Sequence, residues 1–289
     1  MTQLALGTAQ FGLPYGIANQ DGQVTRSVAK DMLQYSADNG IDTLDTATAY
    51  GESETCLGEV GVTRFKLVTK LPGVPDGCSD VSNWVDEQIS ASLGRLGLTS
   101  VYGLLLHRAE QLLGPDGKMI FKALQNLKET RRVKKIGVSI YAPSELDALT
   151  TRYKFDLVQA PFNLIDRRLS TSGWLQRLKQ EDVEIHTRSA FLQGLLLMPR
   201  TAIPGKFAPW AKIWGRWHDW LESHSLTAVE AALAYPLSFP EIDRVVIGAD
   251  SKHQLDQIIA ATRGGIPDAL PDLHCEDENL INPAYWNRL

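Results

Sequence analysis

VYGLLLH at residues 101–107, KMIFKALQNLKETR at 118–131 and VKKIGVS at 133–139 are consecutive segments with different hydrophobic periods. The outer two are short apolar runs of strand length. The middle one puts Met119, Ile120, Ala123, Leu124 and Leu127 on one helical face. The same alternation extends upstream. A strand at 4–7 precedes a helix over 25–39, with Val28, Met32, Leu33 and Tyr35 or Ser36 at helical spacing and Gly40 as its stop. A strand at 41–45 and a helix at 52–60 follow, then the alternating strand KLVTK at 66–70. Asp80 can cap a helix carrying Val81, Trp84, Val85, Ile89, Leu93 and Leu96 along one stripe, ended by Gly97. Downstream lie a short helix from near Pro143, a strand at 156–160, a helix at 171–180 and a strand at 183–188. Two helices at 208–223 and 226–235, a strand at 244–248 (RVVIG) and a helix at 251–262 complete the series. Eight strand–helix units in 289 residues predict a single-domain (β/α)8 barrel, an α/β TIM barrel, and not an open sheet.

Composition narrows the function. With 44% hydrophobic residues the chain can bury a large core; its net charge of -5 and pI near 5.7 oppose a nucleic-acid or membrane-surface partner, which needs a basic face. The basic cluster Arg131, Arg132, Lys134 and Lys135 reads as a solvated helix-to-strand turn. Cys56, Cys78 and Cys275 are odd in number and lack CxxC spacing, as expected of free thiols in a reducing compartment. No secretory signal is expected from residues 1–11, and no apolar run is long enough to span a bilayer; a cytoplasmic location is the expectation. Two segments leave the βα rhythm: 195–215, rich in Pro, Gly and Trp, and the tail 263–289, expected over the barrel mouth. Either could form substrate loops, and the tail could equally serve as packing.

Asp45, Tyr50, Lys70 and His107 fall at, or just past, the carboxyl ends of the second, third and fourth strands, where barrel enzymes place their chemistry. Together they suit carbonyl reduction by hydride, which leaves an oxyanion in need of a proton. A tyrosine hydroxyl can give that proton, and a free phenol, with a pKa of about 10, is aided by a nearby ammonium. In this reading Tyr50 is the acid, Lys70 its tuner, Asp45 the holder of the ammonium, and His107 the donor that orients the substrate oxygen.

The segments LALGTAQFG, DTLDTATAYG, VTKL and LLLH resemble the aldo-keto reductases, whose Asp–Tyr–Lys–His tetrad maps onto Asp45, Tyr50, Lys70 and His107 with the same Asp-to-Tyr spacing. The resemblance runs from about Leu4 to Ala261. It implies a nicotinamide cofactor, NADP by family habit, and a small carbonyl or sugar substrate; the chain resembles the short-tailed bacterial branch and is expected to be a monomer or small homo-oligomer. GVS at 137–139 resembles the family's GVSN, so Ser139, with Gln159 of LVQAPFN, is expected at the nicotinamide carboxamide. RSAFLQGLLL at 188–197 resembles YSPLAQGLL, which implies pyrophosphate contacts at Ser189, Leu192 and Gly194, made through backbone N–H groups. Gly7, Thr8, Gly248, Ser251, Gln254 and Gln257 complete the cofactor contacts that the resemblance implies.

Four positions depart from the pattern. Ile140 replaces the Asn after GVS. Arg188 replaces the aromatic residue that stacks on the nicotinamide, though a guanidinium plane can also stack. In IGADSKHQLDQI, at 247–258, Asp250 stands where an Arg often receives the 2′-phosphate, and Ile258 replaces an adenine-binding Asn. An acidic side chain there repels a 2′-phosphate and can accept a bond from a free 2′-hydroxyl; Lys252 and His253 are the bases that could compensate. NAD is therefore the alternative cofactor. A sugar dehydrogenase using NAD and a non-catalytic cofactor-binding subunit are the competing readings, the latter opposed by the intact tetrad.

The histidines show no metal-ligand spacing, and no zinc site is expected. His186 reads as a barrel-wall residue. Trp210, Trp214, Trp217 and Trp220 carry the spacing of a buried helical stripe, with a substrate-binding aromatic wall as the alternative.

Overall fold

The strand–helix–strand unit at 101–139 recurs around a closed ring. In the computed structural model, which describes residues 3–264 and 269–289, the strands are β1 (Leu4–Gly7), β2 (Thr43–Asp45), β3 (Lys66–Leu71), β4 (Val101–Leu106), β5 (Val133–Ser139), β6 (Leu157–Pro161), β7 (Glu184–Arg188) and β8 (Arg244–Ile247). Each pairs in parallel with the next, and β1 pairs with β8 through Ala5 and Val246, so the sheet has no free edge. The helices that return the chain outside the ring are α1 (Arg26–Asp38), α2 (Ser53–Val60), α3 (Val81–Leu96), α4 (Gly117–Glu129), α5 (Glu145–Leu149), α6 (Arg168–Thr171), α7 (Trp174–Gln180), α8 (Ala211–His224), α9 (Ala228–Leu237) and α10 (Lys252–Ala261); α11 (Glu278–Ile281) lies in the tail. The expected (β/α)8 barrel is the observed architecture.

Local chemistry sets the boundaries. Thr25, Asp80 and Ser251 accept bonds from backbone N–H groups at the starts of α1, α3 and α10, and Thr227 and Glu230 form a reciprocal capping box on α9. The main core lies between strands and helices. Inside the ring, Val68, Leu105 and Leu157 make a small apolar layer. At the amino-terminal end of the strands, the Glu184 carboxylate accepts from Lys135 at 2.5 Å and Tyr102 at 2.7 Å, and meets His186 Nε2 at 2.8 Å. Burial works against its charge, but these partners outweigh burial and hold the carboxyl well below the usual range. His186 is fully buried in the barrel wall. Lys135 corrects the solvated-turn reading of the basic cluster in part: Arg131, at φ 59, and Arg132 make the turn before β5 and Lys134 is exposed, whereas Lys135 joins the barrel's ion pairs.

The segments outside the rhythm are partly ordered. Before α8 the chain winds through three 3-10 turns, Leu192–Leu197, Arg200–Ala202 and Gly205–Trp210. Pro199, Pro204 and Pro209 lack the N–H that a continuous α-helix would use, so α8 begins at Ala211 and not at 208. Trp214 and Trp217 are buried on its inner face, and none of the four tryptophans lines the main cleft. The tail, expected as loop, contains α11 and a final 3-10 segment, Pro283–Arg288. Leu280 and Ile281 are buried, and Trp286 packs on Phe207 with ring centroids 4.9 Å apart. Residues 265–268 of that tail lie outside the described residues. No helix of the described residues is long and apolar enough to cross a membrane.

Candidate active site

Strand polarity brings the four catalytic candidates to one end of the ring. Asp45 ends β2, Lys70 is the penultimate residue of β3, and His107 follows β4, where its N–H bonds the Leu71 carbonyl at 3.1 Å. Tyr50 stands on the loop between β2 and α2, which a buried hydroxyl cluster pins to β1. Ser53 Oγ donates to the Thr8 carbonyl at 2.8 Å, Thr8 Oγ1 donates to the Asp45 carbonyl at 3.0 Å, and Thr46 and Ser53 hydroxyls pair at 3.0 Å. Gly12 lets the opposing loop come close: a Cβ there would lie 1.8 Å from the Tyr50 carbonyl oxygen and 2.4 Å from Ser53 N. The tyrosine's position thus rests on backbone contact as well as on hydrogen bonds.

Asp45 and Lys70 form a buried ion pair, Nζ to Oδ1 2.6 Å, with 4% and 1% of the residues exposed. Lys70 also donates to the Thr46 carbonyl at 2.9 Å, and Gln159 Nε2 donates to Asp45 Oδ2 at 2.7 Å. Burial would lower the pKa of Lys70, but attraction to Asp45, then to Tyr50, overcomes it and leaves the value raised. The ammonium lies 5.1 Å from the centroid of the Tyr50 ring. His107 meets that ring edge-on, with centroids 6.0 Å apart. Burial, joined by the charges of Lys70 and Arg188, pulls the imidazole down to about 4, so His107 is neutral at physiological pH.

Asp45, Tyr50 and His107 line a cleft of about 660 Å³ that continues past the ends of β5 to β8 and β1. Lys70 stands behind this wall. Of the cofactor candidates, Gly7, Thr8, Ser139, Gln159, Arg188, Ser189, Gly194, Gly248, Gln254 and Gln257 line the same cleft. Leu192 and Ser251 do not: Leu192 is buried in the core, and the Ser251 hydroxyl is engaged as the cap of α10. Ser139 Oγ and Gln159 Oε1 stand 3.4 Å apart, an amide and a hydroxyl suited to a carboxamide. Beyond β7, Ser189, Leu192, Gln193 and Gly194 all have positive φ, between 47° and 91°, the backbone habit of an anion-binding turn. The groups present therefore fit an elongated nicotinamide nucleotide.

The departures from the family pattern have distinct locations. The Ile140 side chain is fully buried, and its carbonyl accepts from Arg188 Nη2 at 3.0 Å. The Arg188 guanidinium lies 4.9 Å over the Tyr141 ring. Asp250 lines the far part of the cleft and accepts from Asn19 Nδ2 at 3.0 Å; burial raises its carboxyl pKa despite bonds from Gln254 and Asn19. Ile258 lines that part too. Lys252 and His253 do not: Lys252 Nζ sits 5.1 Å over the Tyr35 ring, and His253 pairs with Gln257 at 3.2 Å.

Sequence reasoning missed Tyr15, Asn19 and Tyr141. Tyr15 and Asn19 stand on the long loop after β1, which reaches across to Gln193 and Asp250; the Ile17 N–H bonds the Gln193 carbonyl at 3.1 Å. These loops carry no hydrophobic period, and only the exposure of aromatic residues beside a strand end could have marked them. From the tail, Pro283 and Ala284 reach the cleft while Trp286 packs in the core.

Comparison with known proteins agrees with this geometry. The chain is 22% identical to the NADH-specific methylglyoxal reductase of Escherichia coli (strain K12), over 93% of this chain and 92% of that protein. It is 23% identical to the pyridoxal 4-dehydrogenase of Microbacterium luteolum, over 93% and 91%. The holo form of the aldo-keto reductase AKR11C1 from Bacillus halodurans superposes with a TM-score of 0.74 at 19% identity, covering 92% of this chain and 88% of that one. The model of the Aldo/keto reductase family matches residues 3–268. With its closed barrel and near full-length match, the chain belongs to the aldo/keto reductase family and is a nicotinamide-dependent oxidoreductase acting on carbonyl chemistry.

Proposed function

We propose that this enzyme reduces an aldehyde or ketone with NADH, and that Tyr50 is the general acid. The nicotinamide, when bound, supplies the hydride. The carrying observation is the neutrality of His107 beside a tyrosine that faces a buried ammonium. With its pKa drawn down to about 4, His107 holds no readily lost proton at neutral pH. It can donate one N–H bond and so orient a carbonyl oxygen. That leaves Tyr50 to give the proton as negative charge develops on the oxygen. Lys70, kept charged by Asp45, stabilises the charge left on the Tyr50 oxygen without touching substrate.

Asp250 supports NADH over NADPH. Its carboxylate would face a 2′-phosphate in a partly enclosed cleft, where like charges repel more strongly than in water. The bases that could offset it are turned away, Lys252 toward Tyr35 and His253 toward Gln257. A free 2′-hydroxyl would instead find an acceptor. The pyridoxal dehydrogenase relative favours a second reading, oxidation of an alcohol with NAD on the same residues in reverse.

The test is a fluorescence titration with NADH and NADPH, followed by turnover of an aldehyde panel by wild type and Tyr50→Phe. NADH should bind at least about tenfold more tightly, and the mutant should lose roughly 10²–10⁴ in kcat with unchanged cofactor affinity. Turnover by Tyr50→Phe within threefold of wild type would remove Tyr50 as the acid. Tighter binding of NADPH would remove Asp250 as the discriminator.

A further inference from the structure

The catalytic end of the cleft holds a positive charge that the reduction just described does not use. Asp45 neutralises Lys70 at 2.6 Å, and His107 is neutral. Arg188, at the carboxyl end of β7, has no such partner: among the described residues no carboxylate pairs with it. Its guanidinium donates to the Ile140 carbonyl at 3.0 Å and to Ser189 Oγ at 3.3 Å, both neutral acceptors, and lies over Tyr141. A guanidinium carries more N–H donors than these two bonds employ. Arg188 lines the cleft with Tyr15, Tyr50 and Tyr141, whose hydroxyls can donate as well. Its charge reaches the reacting centre, being among the influences on both His107 and Lys70.

An uncompensated guanidinium in a concave site among phenol donors is a receptor for an anion. We propose that Arg188 selects carbonyl substrates that carry a carboxylate or phosphate group, pairing with that group while the carbonyl oxygen lies at Tyr50 and His107. This rests on the reductase reading above. The reduction itself is unchanged: a hydride passes from the reduced nicotinamide to the carbonyl carbon, a proton passes to its oxygen, and the anionic group serves as a handle. The cofactor's pyrophosphate is the competing anion, because the left-handed turn expected to hold it begins at Ser189, beside Arg188, and the separate NADH titration below tells the two apart.

The experiment compares matched substrate pairs with NADH: 4-oxobutanoate against butanal for a carboxylate, and glyceraldehyde 3-phosphate against glyceraldehyde for a phosphate. Wild type, Arg188→Gln and Arg188→Lys are assayed for kcat/KM at low and high salt, and NADH affinity is measured separately by fluorescence. Wild type should favour the charged member of at least one pair by about 10- to 100-fold, and the pair that shows it identifies the anion. The preference, read as the ratio of kcat/KM within each pair so that any change in NADH affinity cancels, should shrink with salt, vanish in Arg188→Gln and persist in part in Arg188→Lys. In wild type alone, succinate should compete with 4-oxobutanoate and butyramide should not, which tests the proposal without any variant. Equal use of charged and neutral partners would overturn it. So would a preference that survives Arg188→Gln, or an Arg188→Gln that loses NADH affinity and keeps the preference, since the guanidinium would then serve the cofactor. Failure of wild type to bind NADH or NADPH, or normal turnover by Tyr50→Phe, would instead sink the underlying reductase reading and the proposal with it.

Discussion

Replacing Asp45 with Asn should invert the pH dependence that Lys70 imposes on stability. Asp45 and Lys70 are almost fully buried, so removing the carboxylate's charge strands an ammonium with only neutral acceptors, the Thr46 carbonyl and the amide oxygen of the new Asn. Breaking one side of a buried pair costs about 3–5 kcal/mol, and because Asn retains an oxygen toward Nζ the lower figure, about 3 kcal/mol, is the expectation at pH 7. In the wild type the folded-state pKa of Lys70 is raised, chiefly because Asp45 and Tyr50 overcome burial. Its contribution is therefore complete below the unfolded pKa of about 10.4 and is lost only as pH climbs through the folded value above it. In Asp45→Asn burial dominates and the folded pKa drops below the unfolded one. Between those two values the unfolded chain binds more protons, so the variant gains stability as pH rises, by up to about 1.4 kcal/mol per unit. Urea unfolding of both proteins at pH 7, 8, 9 and 10 reads this directly: the gap should narrow steadily toward pH 10. A gap constant to within about 0.5 kcal/mol, the additivity of independent effects, would refute the claim that Asp45 is what keeps Lys70 charged.

Gly12→Ala tests how Tyr50 is placed. Its new Cβ would lie 1.8 Å from the Tyr50 carbonyl oxygen, so the loop must shift. A stability loss of about 1–3 kcal/mol and a fall in kcat of at least roughly tenfold are expected, with NADH affinity retained; wild-type kcat would show that the contact does not position the acid. His107 has a folded pKa of about 4, below an unfolded value of about 6.5. The folded state then binds fewer protons in that window, and stability present above pH 6.5 is lost as pH falls toward 4. Relative to His107→Gln, wild type should lose about 2–3 kcal/mol across the window, read by unfolding midpoints; parallel curves would mean that the imidazole is not held neutral.

The fold and the gathering of the four candidate residues at one rim were legible for the same physical reason. Strands in a barrel alternate inward and outward, and their polarity sends every carboxyl end to one face. Asp45, Lys70 and His107 could therefore be assigned to a common rim from their positions in strand-like runs. Tyr50 came with them through its loop, whose short length ties it to Asp45. What escaped was the part of the cleft made by loops. Tyr15 and Asn19 reach the site through contacts with Gln193 and Asp250, and nothing periodic marks them. The same lack hid the turns before α8, where prolines interrupt a helical pattern that otherwise continues, and the helix in the tail, whose four residues are too few to show a stripe.

The unusual residues of the cleft also make more sense in space than in sequence. Ile140 and Arg188, read singly, are two losses: an amide side chain and a stacking ring. In the structure they form one arrangement, because burying the Ile140 side chain turns its carbonyl to the guanidinium 48 residues away, and Tyr141 supplies the aromatic face on which that guanidinium rests. Asp250 is likewise joined to Asn19, 231 residues distant, so that its carboxylate is fixed by an amide, and among the described residues no cation pairs with it. Two opposite charges thus line one cleft, Arg188 within electrostatic reach of His107 and Lys70, and Asp250 on the loop after β8. In the reading proposed above, Asp250 opposes a 2′-phosphate and Arg188 favours an anionic substrate. The two proposals rest on two separate charges, Asp250 for the cofactor and Arg188 for the substrate. Adding salt should weaken the two discriminations together, because both depend on charges in a cleft that solvent can enter.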